Sequence, residues 1–506
     1  MKAKRLLTAA AVCALCAAGM TTVKAQAKET AAKKDDVLSI VCWTDNDLKN
    51  MIDCYTTDYP EMADKVKWVQ CGKFGSDASV QYASFLNSGE DVDLFIAESG
   101  WILNYINNDK FSAPLSELNL TEEDYKNAYQ YTVDIGTDKN GVLKGASWQA
   151  TPGGFCYNTE LAEKYLGVKS PEEMQKKISS WDKFTATAAE FNQATDGKIK
   201  MTATLEGMWQ CFNSAANAPW IIDGKVNTQT IRDFSGIAID FVQNGYVDPY
   251  TTQWSTSWKN AGKNEETLGY FYSTWCLTSG TQLEENCGTD GNWNLVIGPQ
   301  EYFWGGSWLC LSPNCNNMEE AEKFVRYFTV DEASMEKYAL SSGDFVNNKA
   351  VMEKIAVGDY QNPLLGGQNQ FSVLKDVAAN IKLNESITEY DQDLKESLTY
   401  ALTSWSDYDD VDALVEEFLF AAEEKHPELF QEAPPAVKKA GDATGDGEVD
   451  ILDVITMNKA IMGKETLEEA YLANIDFNKN QKPDADEALT ILKYIVGLIT
   501  ESEMTA

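Results

Sequence analysis

Two acidic twelve-residue segments near the end of the chain constrain its fold more than any other feature. The first runs from Asp442 to Asp453, with Gly447 at position 6, where a sharp turn is needed, and Glu448 at position 7, which offers its backbone carbonyl. Oxygen-bearing side chains stand at positions 1, 3, 5, 9 and 12, namely Asp442, Thr444, Asp446, Asp450 and Asp453. Calcium takes six to eight hard oxygen ligands, so this spacing predicts a loop folded around one calcium ion.

The same pattern recurs 34 residues later, from Asp476 to Glu487. Its candidate ligands are Asp476, Asn478, Asn480, Lys482, Asp484 and Glu487. Gln481 replaces the glycine of position 6 and Pro483 follows, which predicts weaker calcium binding by the second loop. Each loop leads into a predicted helix, at 454–462 and 488–496, and a glycine closes each helix.

A loop and a helix repeated twice in about sixty residues, without the leading helix of an EF-hand, resemble the type I dockerin module. The resemblance covers residues 441–500. It implies up to two bound Ca²⁺ ions and calcium-dependent docking onto the cohesin module of a cellulosome-like scaffold. The positions that face the cohesin in that family correspond here to Ile451, Leu452, Asn458, Lys459, Ala485, Asp486, Leu492 and Lys493. The alternative is a small calcium-stabilised domain that binds no partner, and the apolar pair Ile451-Leu452 argues against it.

The beginning of the chain predicts export. Lys2, Lys4 and Arg5 precede an apolar run too short to span a bilayer, and small-residue cleavage sites follow, so residues 1–27 are interpreted as a signal peptide. Residues 28–36 form a polar leader, and the proline-containing segment 431–440 is a linker. Val12 and Leu15 precede Cys13 and Cys16, a poor context for lipidation. We therefore expect a secreted protein associated with the cell surface, without a transmembrane helix.

Charge and residue counts exclude several functions. Asp plus Glu number 78 against 42 Lys plus Arg, and the net charge of −36 repels nucleic acid. A single histidine, His426, excludes catalytic triads and multi-histidine zinc sites. Eleven cysteines less the two of the signal leave nine, which cannot all pair within one chain. Their apolar neighbours predict mainly buried thiols.

Residues 37–430 show a mixed α/β pattern. Short apolar runs of strand length, as at 37–43 and 92–97, alternate with helical patterns such as 47–59 and 321–328. Strands that alternate with helices favour parallel sheets joined by crossover helices.

Several segments in order resemble extracellular solute-binding proteins of ATP-binding-cassette importers, in particular those for carbohydrates. They are 37–43, 91–101 with 111–115, 141–148 with 154–158, 270–275, and 298–308 with 321–328. The resemblance implies an α/β, two-lobed fold of the type II periplasmic-binding-protein kind with hinge crossovers. Lobe one would comprise 37–145 and 270–312, and lobe two 146–269 and 313–430, ahead of a small all-α dockerin with two loop-helix repeats.

A carbohydrate ligand would stack on indole rings and hydrogen-bond to carboxylates in the cleft. The ligand-binding candidates are Trp43, Asp45, Glu98, Trp101, Trp148, Trp209, Trp275 and Trp308, and Trp220, Trp254 and Trp258 could complete the opposite wall. Each tryptophan has an alternative role in the core.

The sequence favours a non-catalytic carbohydrate-binding protein over an enzyme. Dockerins also occur on glycoside hydrolases, which need two carboxylates about 5–10 Å apart, but no segment resembles a hydrolase signature. Two binding roles remain open. The protein could hold glycan on a scaffolded surface complex, which we favour, or deliver oligosaccharides to an ATP-binding-cassette permease.

Overall fold

The computed structural model describes residues 37–43, 46–71, 76–88, 92–215, 219–222, 224–278, 280–383, 387–403, 410–430, 439–445, 447–464, 467, 469–480 and 482–504. The chain divides into two compact units, Met1–Lys425 and His426–Ala506. No helix in these ranges has the length and hydropathy required to cross a membrane.

The strands of the first unit form two principal sheets and a small hairpin. They are β1 (Leu38–Cys42), β2 (Val66–Gln70), β3 (Leu94–Glu98), β4 (Gly145–Ser147), β5 (Gly153–Asn158), β6 (Ile221–Ile222), β7 (Lys225–Val226), β8 (Gly269–Ser273), β9 (Trp293–Val296) and β10 (Ser307–Leu311). The first sheet has the order β2-β1-β3-β10-β4, with β1 parallel to β2 and β3, and β10 antiparallel to its neighbours. The second sheet has the order β8-β5-β9 and is antiparallel.

Helices cover both sheets. They are α1 (Asn46–Asp58), α2 (Ser76–Leu86), α3 (Leu103–Ile106), α4 (Gln130–Ile135), α5 (Thr159–Leu166), α6 (Pro171–Ile178), α7 (Trp181–Ala194), α8 (Leu205–Ala215), α9 (Gln229–Gln243), α10 (Thr256–Ala261), α11 (Gln282–Cys287), α12 (Met318–Thr329), α13 (Glu332–Ser342), α14 (Lys349–Ala356), α15 (Gln370–Asn380), α16 (Asp391–Thr403) and α17 (Val411–Lys425). Side chains such as those of Ser180 and Asp331 accept hydrogen bonds from the first turn, which explains where these helices begin.

The sheets correct the predicted lobe boundaries. Strand β8 pairs with β5, and β9 also pairs with β5, so residues 269–296 belong to lobe two and not to lobe one. The chain returns to the first sheet only at β10, which lies between β3 and β4. Helices α12 and α13 pack on lobe one, against β4 and α1 respectively, whereas α14 to α17 pack in lobe two. A strand with an apolar sequence fits either sheet, because hydrophobicity does not encode the pairing partner.

Three crossovers join the lobes, at 148–152, 297–306 and 343–348. Isolated bridges between Gln149 and Val346 and between Pro152 and Phe303 tie them together. Close packing beside the crossovers requires glycine at position 153, since a Cβ atom there would lie 2.2 Å from the ring of Tyr302. Described cysteines of this unit are free thiols, most of them buried.

The second unit contains α18 (Ile451–Ile461), α19 (Glu469–Ile475), α20 (Ala485–Ile495) and α21 (Glu501–Met504). Helices α18 and α20 begin three residues before the predicted starts, because Asp450 and Asp484 at loop position 9 cap their N-termini. A small core holds the unit together, formed by Ala443, Val454, Met457, Ile475, Ala488, Ile491 and Met504.

Candidate functional site

Three indole rings lie side by side where lobe two meets the crossovers, and we call Trp254, Trp275 and Trp304 the aromatic ridge. The rings of Trp275 and Trp304 are 4.9 Å apart between centroids, and Trp254 stacks on Trp275 at 6.1 Å and 21°. The indole Nε1 of Trp275 donates to the carbonyl of Trp304 at 3.1 Å. Trp254 remains 48% exposed, so the ridge presents an apolar aromatic face to solvent.

The backbone of Trp254 is strained. Its φ is +69°, a left-handed conformation that costs a non-glycine residue about 1–2 kcal/mol. The adjoining N–H of Gln253 donates to the carboxylate of Glu206 at 3.1 Å, and burial raises the pKa of Glu206. This buried acceptor holds the turn, and with it the exposed ring of Trp254.

Glu98 ends β3 in lobe one, and its carboxylate is held in place by its own loop. The hydroxyl of Ser99 and the N–H of Gly100 each donate to it at 2.8 Å. A Cβ atom at Gly305 would lie 3.9 Å from Glu98 Oε1 and 3.4 Å from Trp275 Nε1. The carboxylate and the aromatic ridge therefore meet at Gly305.

Helix α16 of lobe two faces the Glu98 loop. A Cβ atom at Gly100 would lie 2.7 Å from Oε1 of Gln392, which shows how closely the two lobes approach. Burial lowers the pKa of Lys395, although the charge of Glu98 opposes this effect. Among the described residues the ammonium group of Lys395 has no hydrogen-bond partner. A free donor in lobe two thus faces an ordered acceptor in lobe one.

Asp391 stands one turn before Lys395 on α16. Burial raises its pKa to about 7, although the N–H and hydroxyl of Thr388 donate to its carboxylate at 3.0 and 2.6 Å. This carboxyl is therefore partly protonated near neutral pH.

These groups surround a cavity of about 90 Å³ between the lobes. Its lining residues are Glu98, Ser99, Gly100, Gln210, Asn213, Trp220, Phe303, Trp304, Gly305, Leu383, Ile387, Asp391, Gln392 and Lys395. Ligand pockets typically measure about 300–1,000 Å³. The cavity is therefore small for a sugar of two rings, and separation of the lobes would enlarge it.

Most of the tryptophans predicted to line a ligand site lie elsewhere. The rings of Trp43 and Trp101 pack edge to face at 5.5 Å inside lobe one. Trp148, Trp209 and Trp308 are each at most 2% exposed, and Trp308 Nε1 donates to the carbonyl of Thr132. These five indoles belong to packed interiors, which corrects the expectation that they contact ligand.

Of the predicted residues, Glu98, Trp220 and Trp275 line the cleft and Trp254 belongs to the aromatic ridge, whereas Trp258 is buried. Asp45 lies outside the described residues. Sequence position at a strand end does not determine which way a ring points. Trp304 could have been selected from the Trp-Gly-Gly motif, but no sequence signal distinguishes Asp391 and Lys395 on their polar helix.

The first predicted calcium loop brings its terminal carboxylates together. Asp442 and Asp453 are at most 1% exposed, and the hydroxyl of Thr444 lies 3.3 and 3.0 Å from their respective oxygens. Asp442 also accepts the N–H of Gly447, whose φ of +85° makes the expected sharp turn. This convergence of oxygens fits calcium. Asp446 lies outside the described residues.

The second loop is built on Asp484 and Glu487. Asp484 accepts the side-chain amides of Asn478 and Asn480 at 2.6 and 2.9 Å. Burial raises the pKa of Glu487, and the nearby charges of Asp484 and Asp476 raise it further. The donors again fit a hard cation. Within the described ranges no three acidic, histidine or cysteine side chains form a complete metal cluster, and hydroxyl, amide and backbone oxygens make up the remainder of each loop.

The predicted docking positions are mostly at the surface. Ile451 and Leu452 are about half exposed, at 51% and 52%. The exposed positions also include Asn458, Lys459, Ala485, Asp486 and Lys493, whereas Leu492 is half-buried against the core. The sequence analysis missed three further exposed apolar residues here: Ile455 and Ile461 lie on α18, and Met462 follows its last residue.

Two sheet-based lobes, three crossovers and a cleft between the lobes define a hinged binding protein. Residues 55–363 match the model of the bacterial extracellular solute-binding protein family, and the chain belongs to that family. Residues 440–496 match the type I dockerin domain. Both predicted resemblances and the predicted fold class are confirmed. The matched families are binding modules, in agreement with the prediction that the protein is not an enzyme.

Solved structures share the fold at low sequence identity. A family 1 extracellular solute-binding protein is 18% identical with a TM-score of 0.64, covering 76% of this chain and 98% of its own. The transporter-associated binding protein of B. animalis subsp. lactis, in complex with β-1,6-galactobiose, is 17% identical with a TM-score of 0.62, covering 78% and 98%. The sugar-binding protein MalE of Xanthomonas citri is 14% identical with a TM-score of 0.60, covering 78% and 100%. No curated protein matches the chain.

Proposed function

We propose that this protein is an exported, non-catalytic carbohydrate-binding protein that docks through its dockerin onto a cohesin-bearing surface complex and captures glycan there. The observation that carries the proposal is the aromatic ridge beside the Glu98–Lys395 pair in the interlobe cleft. Sugar complexes and sugar-binding proteins among the structural neighbours support a carbohydrate ligand. In this proposal residues 1–27 direct export, and residues 431–440 link the carbohydrate-binding part of the chain to the dockerin.

Each part of the cleft supplies one element of carbohydrate recognition. The aromatic ridge packs on the C–H face of a sugar ring, while Glu98 accepts hydrogen bonds from hydroxyl groups. Lys395 donates, and the amides of Gln210 and Asn213 both donate and accept. Because Glu98 and Lys395 lie on opposite lobes, a sugar that contacts both holds the cleft closed.

Type I dockerin domains bind calcium, and we assign the ions to the two loops described above. Bound calcium neutralises the clustered carboxylates and fixes the loops. In the first loop we propose Asp442, Thr444, Asp446, Glu448, Asp450 and Asp453 as ligands, and in the second Asp476, Asn478, Asn480, Lys482, Asp484 and Glu487. With the loops fixed, α18 presents Ile451 and Leu452 to the cohesin, and the corresponding positions of α20 form the second half of the face.

Calorimetric titration of the full chain with malto-, cello-, xylo- and manno-oligosaccharides tests the carbohydrate assignment. Saturable binding that Trp275→Ala weakens about tenfold or more, equivalent to about 1.4 kcal/mol, is the expected result. Trp68 lies on β2 and is absent from the lining of the cleft, so Trp68→Ala is the matched control. Absence of binding to all four series would refute the carbohydrate assignment.

Delivery of oligosaccharides to a permease is the second candidate function. The hinged fold and the narrow cavity of about 90 Å³ favour short ligands enclosed between lobes. Sedimentation with insoluble polysaccharide separates the two roles. Co-sedimentation of the cohesin-bound protein supports surface capture, whereas binding confined to short soluble oligosaccharides supports delivery.

A further inference from the structure

A lysine side chain reaches the first calcium loop from outside it. Lys439 stands three residues before the loop, and its ammonium group donates a hydrogen bond of 2.6 Å to the backbone carbonyl of Gly447. The N–H of the same glycine donates to the carboxylate of Asp442 at 2.9 Å. Gly447 thus connects the ammonium group to the first carboxylate of the loop.

The backbone around Lys439 is held in place by hydrogen bonds. The N–H of Asp442 donates to the carbonyl of Lys439 at 3.1 Å, and the N–H of Gly441 donates to the carbonyl of Asn474 on α19 at 2.8 Å. The side-chain amide of Asn474 donates in turn to the carbonyl of Asp442 at 3.0 Å. The Lys439 side chain is 31% exposed. A side chain that is partly buried and leaves a fixed backbone loses less entropy when it contacts the loop.

The first loop concentrates negative charge, and Lys439 brings a positive charge to it. Its Nζ atom lies 3.9 Å from Oε2 of Glu448, an ion pair that contributes little because the Glu448 side chain is 83% exposed. The partly buried hydrogen bond to Gly447 therefore determines where the ammonium group sits. The carboxylates of the loop are those of Asp442, Asp446, Glu448, Asp450 and Asp453.

A fixed ammonium group acts in opposite directions on the two states of this loop. Without calcium, the ammonium group offsets the repulsion among the carboxylates and stabilises the folded loop. With calcium, two cations share one loop, because the ammonium group binds the carbonyl of Gly447 and the carbonyl of Glu448 is a proposed calcium ligand. The two cations repel each other, so the positive charge of Lys439 lowers the affinity of the loop for calcium.

We infer that Lys439 is an internal cation of the first loop, which stabilises the calcium-free loop and weakens its binding of calcium. This inference rests on the calcium assignment of the proposed function. It adds a residue that lies outside the twelve-residue ligand pattern and sets the calcium concentration at which the first loop fills.

Calorimetric titration of the full chain with calcium at low ionic strength tests the inference. Every protein in the series carries Asp476→Ala, which removes the first carboxylate of the second loop, so that the signal comes from the first loop. Lys439→Met removes the charge, and Lys439→Arg keeps it. Lys464→Met is the matched control for net charge, since Lys464 is exposed and follows the end of α18.

Lys439→Met should bind calcium about fivefold more tightly than the Asp476→Ala parent, because the repulsion between the two cations is gone. Lys439→Arg and Lys464→Met should stay within about twofold of the parent, and the gain of Lys439→Met should shrink in about 0.5 M salt. Thermal unfolding in excess calcium checks that each variant folds. If Lys439→Met does not fold, Lys439→Gln gives the same test, since it keeps a donor for Gly447 and loses the charge.

The possible failures are distinguishable. Equal or weaker calcium binding by the folded uncharged variant would overturn the inference, because the ammonium group would then be neutral toward calcium or would support the loaded loop. A gain of the same size at low and high salt would also overturn it, since an effect of charge is screened. If the Asp476→Ala parent binds no calcium, the calcium assignment of the first loop fails, and the inference about Lys439 falls with it.

Discussion

Trp254 offers a test in which stability and ligand binding should respond differently. At its φ of +69°, an alanine costs about 1–2 kcal/mol, whereas glycine adopts this conformation freely. Trp254→Ala and Trp254→Gly remove the same ring and the same contacts with Trp258 and Trp275. Glycine loses about 0.5–1 kcal/mol through the entropy of the unfolded chain. We therefore expect Trp254→Gly to be more stable than Trp254→Ala by about 0.5–1 kcal/mol.

The helical residue Trp258 provides a control of opposite sign. It lies within α10, where glycine should be less stable than alanine by about 0.5–1 kcal/mol. Urea unfolding of the four variants in excess calcium measures both differences. If Trp254→Ala equals or exceeds Trp254→Gly in stability, the turn relaxes on mutation and the bond from Gln253 to Glu206 does not enforce the left-handed backbone.

Ligand affinity should not follow this difference in stability. Both Trp254 variants lack the exposed ring, so both should bind oligosaccharide more weakly than wild type and equally to each other. Calorimetry with the tightest-binding oligosaccharide measures this. Unchanged affinity in both variants would exclude Trp254 from the ligand surface and leave Trp275 and Trp304 as the stacking pair.

Three other perturbations test separate parts of the molecule. The folded protein keeps the proton of Asp391 up to about pH 7, so its free energy of unfolding should fall as pH rises from 3.8 to about 7. Urea unfolding at several pH values measures this fall, and Asp391→Asn should remove the part of it that comes from this carboxyl. Asp442→Ala should abolish the rise in melting temperature that calcium gives the dockerin unit, while Asp486→Ala should leave it intact in calorimetry with and without chelator. Leu452→Asp should eliminate binding to a panel of cohesin modules without changing the melting temperature, because that side chain is exposed. Retained binding would mean that the cohesin contacts α20 instead of α18.

The dockerin could be predicted from the sequence because its calcium loops depend on residues that are close together in the chain. A calcium loop needs its oxygens and its glycine at fixed spacings within twelve residues, and the loop that forms has Asp442, Thr444 and Asp453 in contact as predicted. The helix starts were placed too late, because Asp450 and Asp484 act both as loop residues and as N-caps. Strands of the first sheet were also recognisable, since buried runs such as Leu38–Cys42 are almost continuously apolar.

Tertiary structure alone determined the cleft. The sequence identified the family, segments of strand length and a set of candidate tryptophans, but five of the favoured indoles, those of Trp43, Trp101, Trp148, Trp209 and Trp308, are buried in the interior. Glu98 and Lys395 are almost 300 residues apart in the chain, and only the pairing of β10 between β3 and β4 and the packing of α16 in lobe two bring them face to face. Residue spacing encodes contacts within a loop or a helix, whereas the direction of a side chain across a cleft depends on how whole lobes pack.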